Sequence, residues 1–252
     1  MNAQPKGQLG QVAKLWRYPV SSLAGESLSA MRVSADGAKG DRLFGIVEKA
    51  TGAIARPDGD RKWHGAPRIE TRFAADGTLE VRPPGGDWLP APGKSADRAA
   101  SAFLGFDVSI LPFGGAAYSA GGNGPSTSPR YKKDPIHLVT TASLAELKAL
   151  HPDGNPDPRR FRPNILVDMQ PVAGRFPETE WIGRRLAIGE LELSITEACR
   201  RCGFTIIAQE GIDDDPVILR TLVKNNAHNL GVYCEVTREG EVKVGDAMKF
   251  LG

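Results

Sequence analysis

The chain has 252 residues, 40% hydrophobic and 25% charged, and its 32 basic and 30 acidic side chains leave a formal net charge of only +2. That length allows one large domain or two small ones with a substantial core, while so small a charge gives no general pull toward nucleic acid or a membrane surface, so any anion site has to be local. Three cysteines are odd in number and too few for a disulfide framework, which points to a reducing compartment.

In chain order, the polar start from Met1 to Gln11 lacks the apolar region of a signal peptide. No apolar run approaches the roughly 20 residues of a membrane span, so the expected location is cytoplasmic, with neither membrane nor nucleic acid as partner. Residues 11–18 alternate and stop at Pro19, and residues 43–48 are rich in β-formers; both read as strands. Residues 69–73 and 78–82 flank Asp76-Gly77 and read as a hairpin. A short helix is expected over 97–104 and a strand over 108–111. From Gly114 to Pro129 the chain is rich in Gly, Ser, Pro and Asn, and reads as a loop or linker.

Beyond it, residues 136–140 read as a strand and 141–150 as a helix capped by Thr141 or Ser143, with Leu144, Leu147 and Leu150 on one face. Strands follow over 165–167, 185–188, 190–196, 231–237 and 247–251. A helix over 216–225 presents Ile218, Leu219, Leu222 and Val223 as its buried stripe. Many short strands and few helices imply a mainly β chain with some α, built as an antiparallel β-barrel with decorating helices. Asp213-Asp214-Asp215 suits the N-terminal flank of the 216–225 helix.

The chemistry concentrates at Cys199-Arg200-Arg201-Cys202-Gly203-Phe204-Thr205. Two Cys-x-x-Cys zinc pairs are excluded by count, and none of the four histidines has the short spacing of a structural zinc site. Cys202 follows two arginines, which favour its thiolate, and soft thiolates select transition metals over Mg or Ca. A Cys199–Cys202 redox couple is the competing reading, but the thioredoxin-like setting is missing. Cys234, in an apolar run, reads as a buried small hydrophobe. Three other segments place basic or hydroxylic groups where the strand pattern breaks: Tyr18-Pro19-Val20-Ser21-Ser22-Leu23, Gly40-Asp41-Arg42 and Arg160-Phe161-Arg162-Pro163-Asn164. Arginine forks, hydroxyls and loop amides together suit a phosphate.

These segments, with Thr141-Ala142-Ser143-Leu144, Arg201-Cys202-x-x-Thr205, Asp215-Pro216-x-Ile218-Leu219-Arg220-Thr221, Leu230-Gly231-Val232-Tyr233 and Val244-Gly245-Asp246, resemble the MOSC (molybdenum cofactor sulfurase C-terminal) family and its N-terminal β-barrel companion. The order of the matches is that of the family, and they run from about Val12 to Leu251. The resemblance implies a smaller β-rich N-terminal domain over 9–113, a linker over 114–130 and an antiparallel β-barrel MOSC domain over 131–252. It also implies a molybdenum cofactor, with Cys202 as metal ligand and catalytic centre. Its terminal phosphate and pterin would be held by Arg42, Arg160, Arg162 and Arg201, with Ser21, Ser22, Thr140, Thr141 and Asn164 as hydrogen-bond partners.

The activity implied is that of the amidoxime-reducing group, an oxidoreductase acting on small N-hydroxylated substrates with electrons from an external donor such as a reductase or ferredoxin-like protein. Two departures from the pattern stand out. Ser21 occupies the position where that group usually has lysine, and no cysteine-rich ferredoxin extension is present. The alternatives are a sulfur carrier or sulfurtransferase with a Cys202 persulfide, and a non-catalytic cofactor-binding module. Pyridoxal phosphate is not expected, because no lysine stands in a setting that marks a Schiff base.

Overall fold

A computed structural model describes residues 8–114, 127 and 135–252. The expected linker over 114–130 therefore lies, apart from Gly114 and Thr127, outside the described residues. The elements run β1 (Gln8–Arg17), β2 (Val20–Ser21), β3 (Glu26–Leu28), β4 (Ala30–Ser34), β5 (Gly37–Ala38), β6 (Phe44–Glu48), β7 (Glu70–Phe73), β8 (Leu79–Arg82), β9 (Leu89–Ala91), α1 (Lys94–Leu104) and β10 (Val108–Pro112). They continue as β11 (Ile136–Thr140), α2 (Thr141–Leu150), β12 (Ile165–Asp168), β13 (Arg185–Ile188), β14 (Leu191–Arg200), α3 (Pro216–Asn226), β15 (Asn229–Arg238), β16 (Gly240–Lys243) and β17 (Ala247–Leu251).

Seven of these strands close a barrel in the order β12-β11-β15-β14-β13-β17-β1, with β1 returning to β12. Strand alternation fills it. Leu191, Leu193 and Ile195 of β14 are buried while Glu192 and Ser194 are not, and they meet Val12, Leu15, Leu138, Ile165, Leu186, Val232 and Met248 in one core. Cys234 lies in the same core, fully buried. The barrel is antiparallel except for β11 and β12, which are parallel because α2 intervenes as their crossover. β1 and β4, which the expected division assigns to the N-terminal part, pair with β12, β17 and β16 of the C-terminal part.

A second core gathers Val20, Leu23, Phe44, Ile46, Trp63, Ile69, Val81, Ala100 and Ile110 around the hairpin of β7 and β8. Its turn forms as the Asp-Gly pair predicts: Gly77 sits at φ +85° and the Asp76 carboxylate accepts from Thr78 N at 2.9 Å. A third core packs Trp16, Tyr18, Phe161, Leu166 and Leu230 under Leu147 of α2 and Ile218 and Leu222 of α3.

Two helix faces differ from the periodicity reading. In α2 the cap is Thr140, one residue before Thr141 and three before Ser143, and rotation of the helix buries Ala142, Ser143 and Leu147 while leaving Leu150 39% exposed. In α3, Thr221 takes the buried place expected for Val223, which is 44% exposed. Asp215 caps α3, accepting from Val217 N at 3.0 Å and Ile218 N at 3.4 Å, as its acidic flank suggested. The short strands β2, β3, β5 and β9 carry only two or three residues, too few for a period to be read.

Gly231 in β15 is required by both conformation and space. Its φ is +82°, and a Cβ there would stand 2.4 Å from His137 Nε2 and 2.8 Å from the Leu138 carbonyl. Gly231→Ala is expected to destabilise the fold by about 2–5 kcal/mol, combining left-handed strain with overpacking. The midpoint of denaturant unfolding measures it.

Candidate functional site

The Arg-Cys-x-x-Thr segment leaves the barrel where β14 ends. β14 and β15 slip register between Ile195 and Glu197 and again between Ala198 and Arg200, so bulges bend the strand just before its exit. Cys199 is the last inward-facing residue of β14 and is fully buried. Cys202, beyond the strand end, is exposed. Its carbonyl accepts from both Thr205 N at 3.1 Å and Thr205 Oγ1 at 2.9 Å, so the threonine of the motif closes a one-turn 3-10 helix that holds the cysteine outward. Behind it, Gly203 backs onto the other half of the molecule; a Cβ there would lie 3.0 Å from the Asp58 carbonyl.

Around this turn the protein assembles three arginines. Arg162 stacks on the Tyr18 ring at 4.2 Å and faces Phe204 at 5.1 Å, with Nη1 donating to the Leu23 carbonyl. Arg42 lies over the other part of that arrangement, 5.2 Å from the Tyr18 ring, donating through Nη2 to the Arg162 carbonyl at 3.3 Å. Asp41 pairs with Arg42 Nη1 and accepts from Tyr18 N at 2.7 Å, which anchors the Gly40-Asp41-Arg42 turn to the residue that follows β1. Arg201 donates through Nη1 to Cys199 Sγ at 2.7 Å and through Nη2 to the Phe161 carbonyl at 2.9 Å.

The backbone of this group is strained. Ser22, Arg42 and Arg162 have φ of +72°, +50° and +54°, a region non-glycine residues rarely adopt. Arg162 is the sharpest case, because it precedes Pro163, a position that favours extended backbone. Such conformations persist only where the surroundings impose them, and they cluster at ligand sites.

The charges are similarly poised. Burial opposes the Arg42 charge, but Asp41 outweighs it and holds the guanidinium protonated; the side chain is 37% exposed at the rim. Arg162 is deeper and lacks such a counter-ion: burial, followed by repulsion from Arg42, lowers it to about 10, still charged at neutral pH. Burial pushes the Tyr18 phenol well above its ordinary value, so it stays a donor. Among the described residues the Tyr18 hydroxyl, Arg162 Nη2 and Arg201 Nε are buried without a hydrogen-bond partner. Three donors left unmet in one place, two of them cationic, are costly unless an anionic or acceptor-rich group meets them.

Cys199 is the main residue that sequence reasoning left without a role. Burial alone would raise its thiol. The charges of Arg201 and then His137, with Tyr233 also adjacent, outweigh this and bring it down to about 6. An acid held below its unfolded value of about 8.5 adds stability in full above that value and loses it as pH falls through the folded one. The stability difference between wild type and Cys199→Ser is therefore expected to shrink as pH falls through about 6. Denaturant melts over that range measure it.

The other expected residues whose bonds are resolved are engaged within the protein itself. Arg160 is 1% exposed and its Nε, Nη1 and Nη2 donate to the Asn155, Thr205 and Asp213 carbonyls. It lines a separate acidic cavity of about 320 Å³ with His151 and Asp213–Asp215. Asn164 is buried, accepting from His137 N at 3.1 Å and donating to the Trp16 carbonyl at 3.4 Å. Thr140 caps α2 and donates to Glu178 at 2.8 Å, while Thr141 binds Asp168 at 3.0 Å. Ser21 lies in β2 opposite Gly45. Arg42, Arg162, Arg201, Ser22 and Cys202 thus gather around one loop cluster, and Tyr18, Asp41 and Phe204, quoted only as parts of motifs, complete it. Among the described residues no group of three or more metal-ligating side chains forms, and no helix is long and apolar enough to cross a membrane.

Comparison with known proteins matches the same architecture. The family model of the MOSC domain covers residues 107–249, and that of the MOSC N-terminal beta barrel domain covers residues 9–115. Bovine mitochondrial amidoxime reducing component 2 is 26% identical over 95% of this chain and 82% of its own length. The mouse mitochondrial amidoxime-reducing component 1 is 24% identical over 97% and 83%. The solved YUAD protein from Bacillus subtilis shares the fold at a TM-score of 0.51 and 13% identity, over 96% of this chain and 94% of that one. With more than half its length matched, through a closed barrel that presents an outward cysteine beside clustered arginines, the chain belongs to the MOSC domain family.

Proposed function

We propose that the protein is a molybdenum-cofactor oxidoreductase that reduces small N-hydroxylated substrates, with Cys202 as its metal ligand. Family membership supports a molybdenum-cofactor-related role, and the amidoxime-reducing relatives support the oxidoreductase reading. The observation that carries the cofactor reading is the set of unmet buried donors on Tyr18, Arg162 and Arg201 around an exposed Cys202. A terminal phosphate or an acceptor-rich pterin supplies what those donors lack.

When bound, the cofactor supplies a metal centre able to exchange two electrons and accept the substrate oxygen. The chain's own residues do the rest. Cys202 offers an unencumbered sulfur on a turn fixed by Thr205, and Arg162, at the Tyr18 ring, offers a charge-assisted donor through Nη2. Arg42 adds positive charge at the exposed rim, and the Tyr18 phenol offers a neutral donor. Arg160 and Asn164 act one step back, tying down the Thr205 turn and the chain at Trp16, while Thr140 and Thr141 hold α2 and the end of β12. The reducing electrons come from a separate donor such as a reductase or ferredoxin-like protein.

The test is turnover. Protein purified from cells that make molybdopterin, given a chemical reductant, is expected to consume an amidoxime and release the amidine and water. Fully loaded protein with no turnover of any N-hydroxylated compound would rule the reductase out. The exposure of Cys202 also makes it reachable by a cysteine desulfurase. A persulfide on Cys202 in mass spectra of wild-type protein would favour the sulfur-carrier reading instead.

A further inference from the structure

Arg201 is held on two sides from within the protein. Nη1 reaches Cys199 Sγ at 2.7 Å, Nη2 reaches the Phe161 carbonyl at 2.9 Å, and Nε remains buried without a partner. The Phe161 ring lies 5.5 Å from the same guanidinium. Of these contacts only the sulfur can balance the charge, since a carbonyl and a ring are neutral. Arg201 also stands among like charges: Arg162 sits across Phe161 in sequence, and Arg42 donates to the Arg162 carbonyl. Three guanidiniums with one carboxylate, Asp41, leave the cluster short of negative charge on the Arg201 side.

We propose that Cys199 is a positioning residue whose buried side chain serves as the anion that fixes Arg201, so that both terminal nitrogens are held by the protein and Nε alone is presented to the cofactor site. The proposal rests on the cofactor reading for the purpose of that presentation, but the Cys199–Arg201 pair itself does not need a cofactor to be present. Every group facing Cys199 is compatible with an anion there. Arg201 comes from its own segment, His137 from β11 and Tyr233 from β15. The neighbouring Tyr233 ring lies 5.4 Å from that of His137, and Gly231 leaves room for His137 to approach β15.

This separates the roles of the two sulfurs of Cys-x-x-Cys. Cys202 is exposed beyond the strand end, whereas Cys199 is fully buried within it and bonded to Arg201. A serine in place of Cys199 keeps the volume and the hydrogen-bonding capacity but not the negative charge. An alanine removes both.

The test uses the full chain in its cofactor-free form. In Cys202→Ser/Cys234→Ser protein, Cys199 is the remaining thiol, and its ultraviolet thiolate band is expected to be present at neutral pH and to move to alkaline pH when Arg201→Gln is added. Absence of the band until the ordinary thiol range would overturn the proposal. In the second arm, the rate at which phenylglyoxal modifies Arg201 is followed by peptide mass spectrometry. Cys199→Ser and Cys199→Ala are both expected to speed it by about tenfold or more, matching loss of a charge-assisted hydrogen bond of about 1.5–3 kcal/mol. If Cys199→Ser leaves the rate at the wild-type value while Cys199→Ala raises it, a neutral hydrogen bond or packing suffices and the proposal fails. Because neither arm uses cofactor, a protein that proves unable to bind molybdenum would contradict the proposed function and leave this pairing standing.

Discussion

Cys202→Ser is expected to give a folded protein that no longer retains molybdenum, with metal content and N-hydroxyl reduction both falling by on the order of a hundredfold or more. Loss of a group that merely hydrogen-bonds to a metal ligand already costs tenfold to a hundredfold, and loss of the ligand itself exceeds that. Folding is expected to survive because the sulfur has no part in the turn: it is the Cys202 carbonyl, not the side chain, that accepts from Thr205. Unfolding free energy should stay within about 0.5 kcal/mol of wild type, as for other exposed substitutions. Cys234→Ser supplies the opposite pattern. That sulfur is fully buried in the barrel core, so the serine should lower stability by about 1–3 kcal/mol and leave metal content per folded molecule unchanged. Metal analysis beside denaturant melts separates the two. A Cys202→Ser protein with wild-type molybdenum, or a Cys199→Ser protein with none and a silent Cys202→Ser, would assign the ligand to the wrong sulfur.

The second large effect is expected at Arg162. Arg162→Met should reduce cofactor retention by about tenfold to a hundredfold, the worth of a charge-assisted hydrogen bond in a shielded site. The same substitution should leave cofactor-free protein as stable as wild type or more so. Burial and repulsion from Arg42 both weigh against the Arg162 charge and lower it to about 10, and its backbone is held at φ +54°. A basic group depressed in this way is a cost of the folded state at neutral pH, retained for what it binds. Stability and retention should therefore move in opposite directions, which a simple folding defect cannot produce. Thermal melts of the cofactor-free form, set against pterin content after expression with the cofactor, measure both.

How much of this was legible in the sequence follows from what each signal rests on. Short runs of apolar and β-forming residues bounded by turn residues carried several barrel strands: Arg185–Ile188 and Ala247–Leu251 are placed to the residue. Helix rotation was less legible, because Leu144, Leu147 and Leu150 are spaced for one face but only Leu147 is buried. The face is chosen by the packing of α2 against its neighbours, which a local pattern does not contain. The burial of Cys234 followed from its apolar flanks, whereas the basic flanks of Cys202 marked it for reactivity without fixing its exposure.

The role of Cys199 did not. Its burial depends on strand β14 continuing through Arg200, past the expected end at Thr196, and its charge partner Arg201 is two residues away on an extended chain that has to fold back. Arg160 and Arg162 illustrate the same limit. Both stand in Arg-Phe-Arg-Pro-Asn with equal claims on an anion, yet Arg160 meets three backbone carbonyls while Arg162 keeps an unmet nitrogen. Only the path of the 205–213 segment, which supplies two of those carbonyls, decides between them.

The most direct test of the central claim is the molybdenum and pterin content of wild-type protein purified from cells that make the cofactor. The account predicts stoichiometric amounts of both, lost together in Cys202→Ser and Arg162→Met. Wild-type protein free of molybdenum and of pterin, from cells in which another molybdoenzyme is fully loaded, would contradict it.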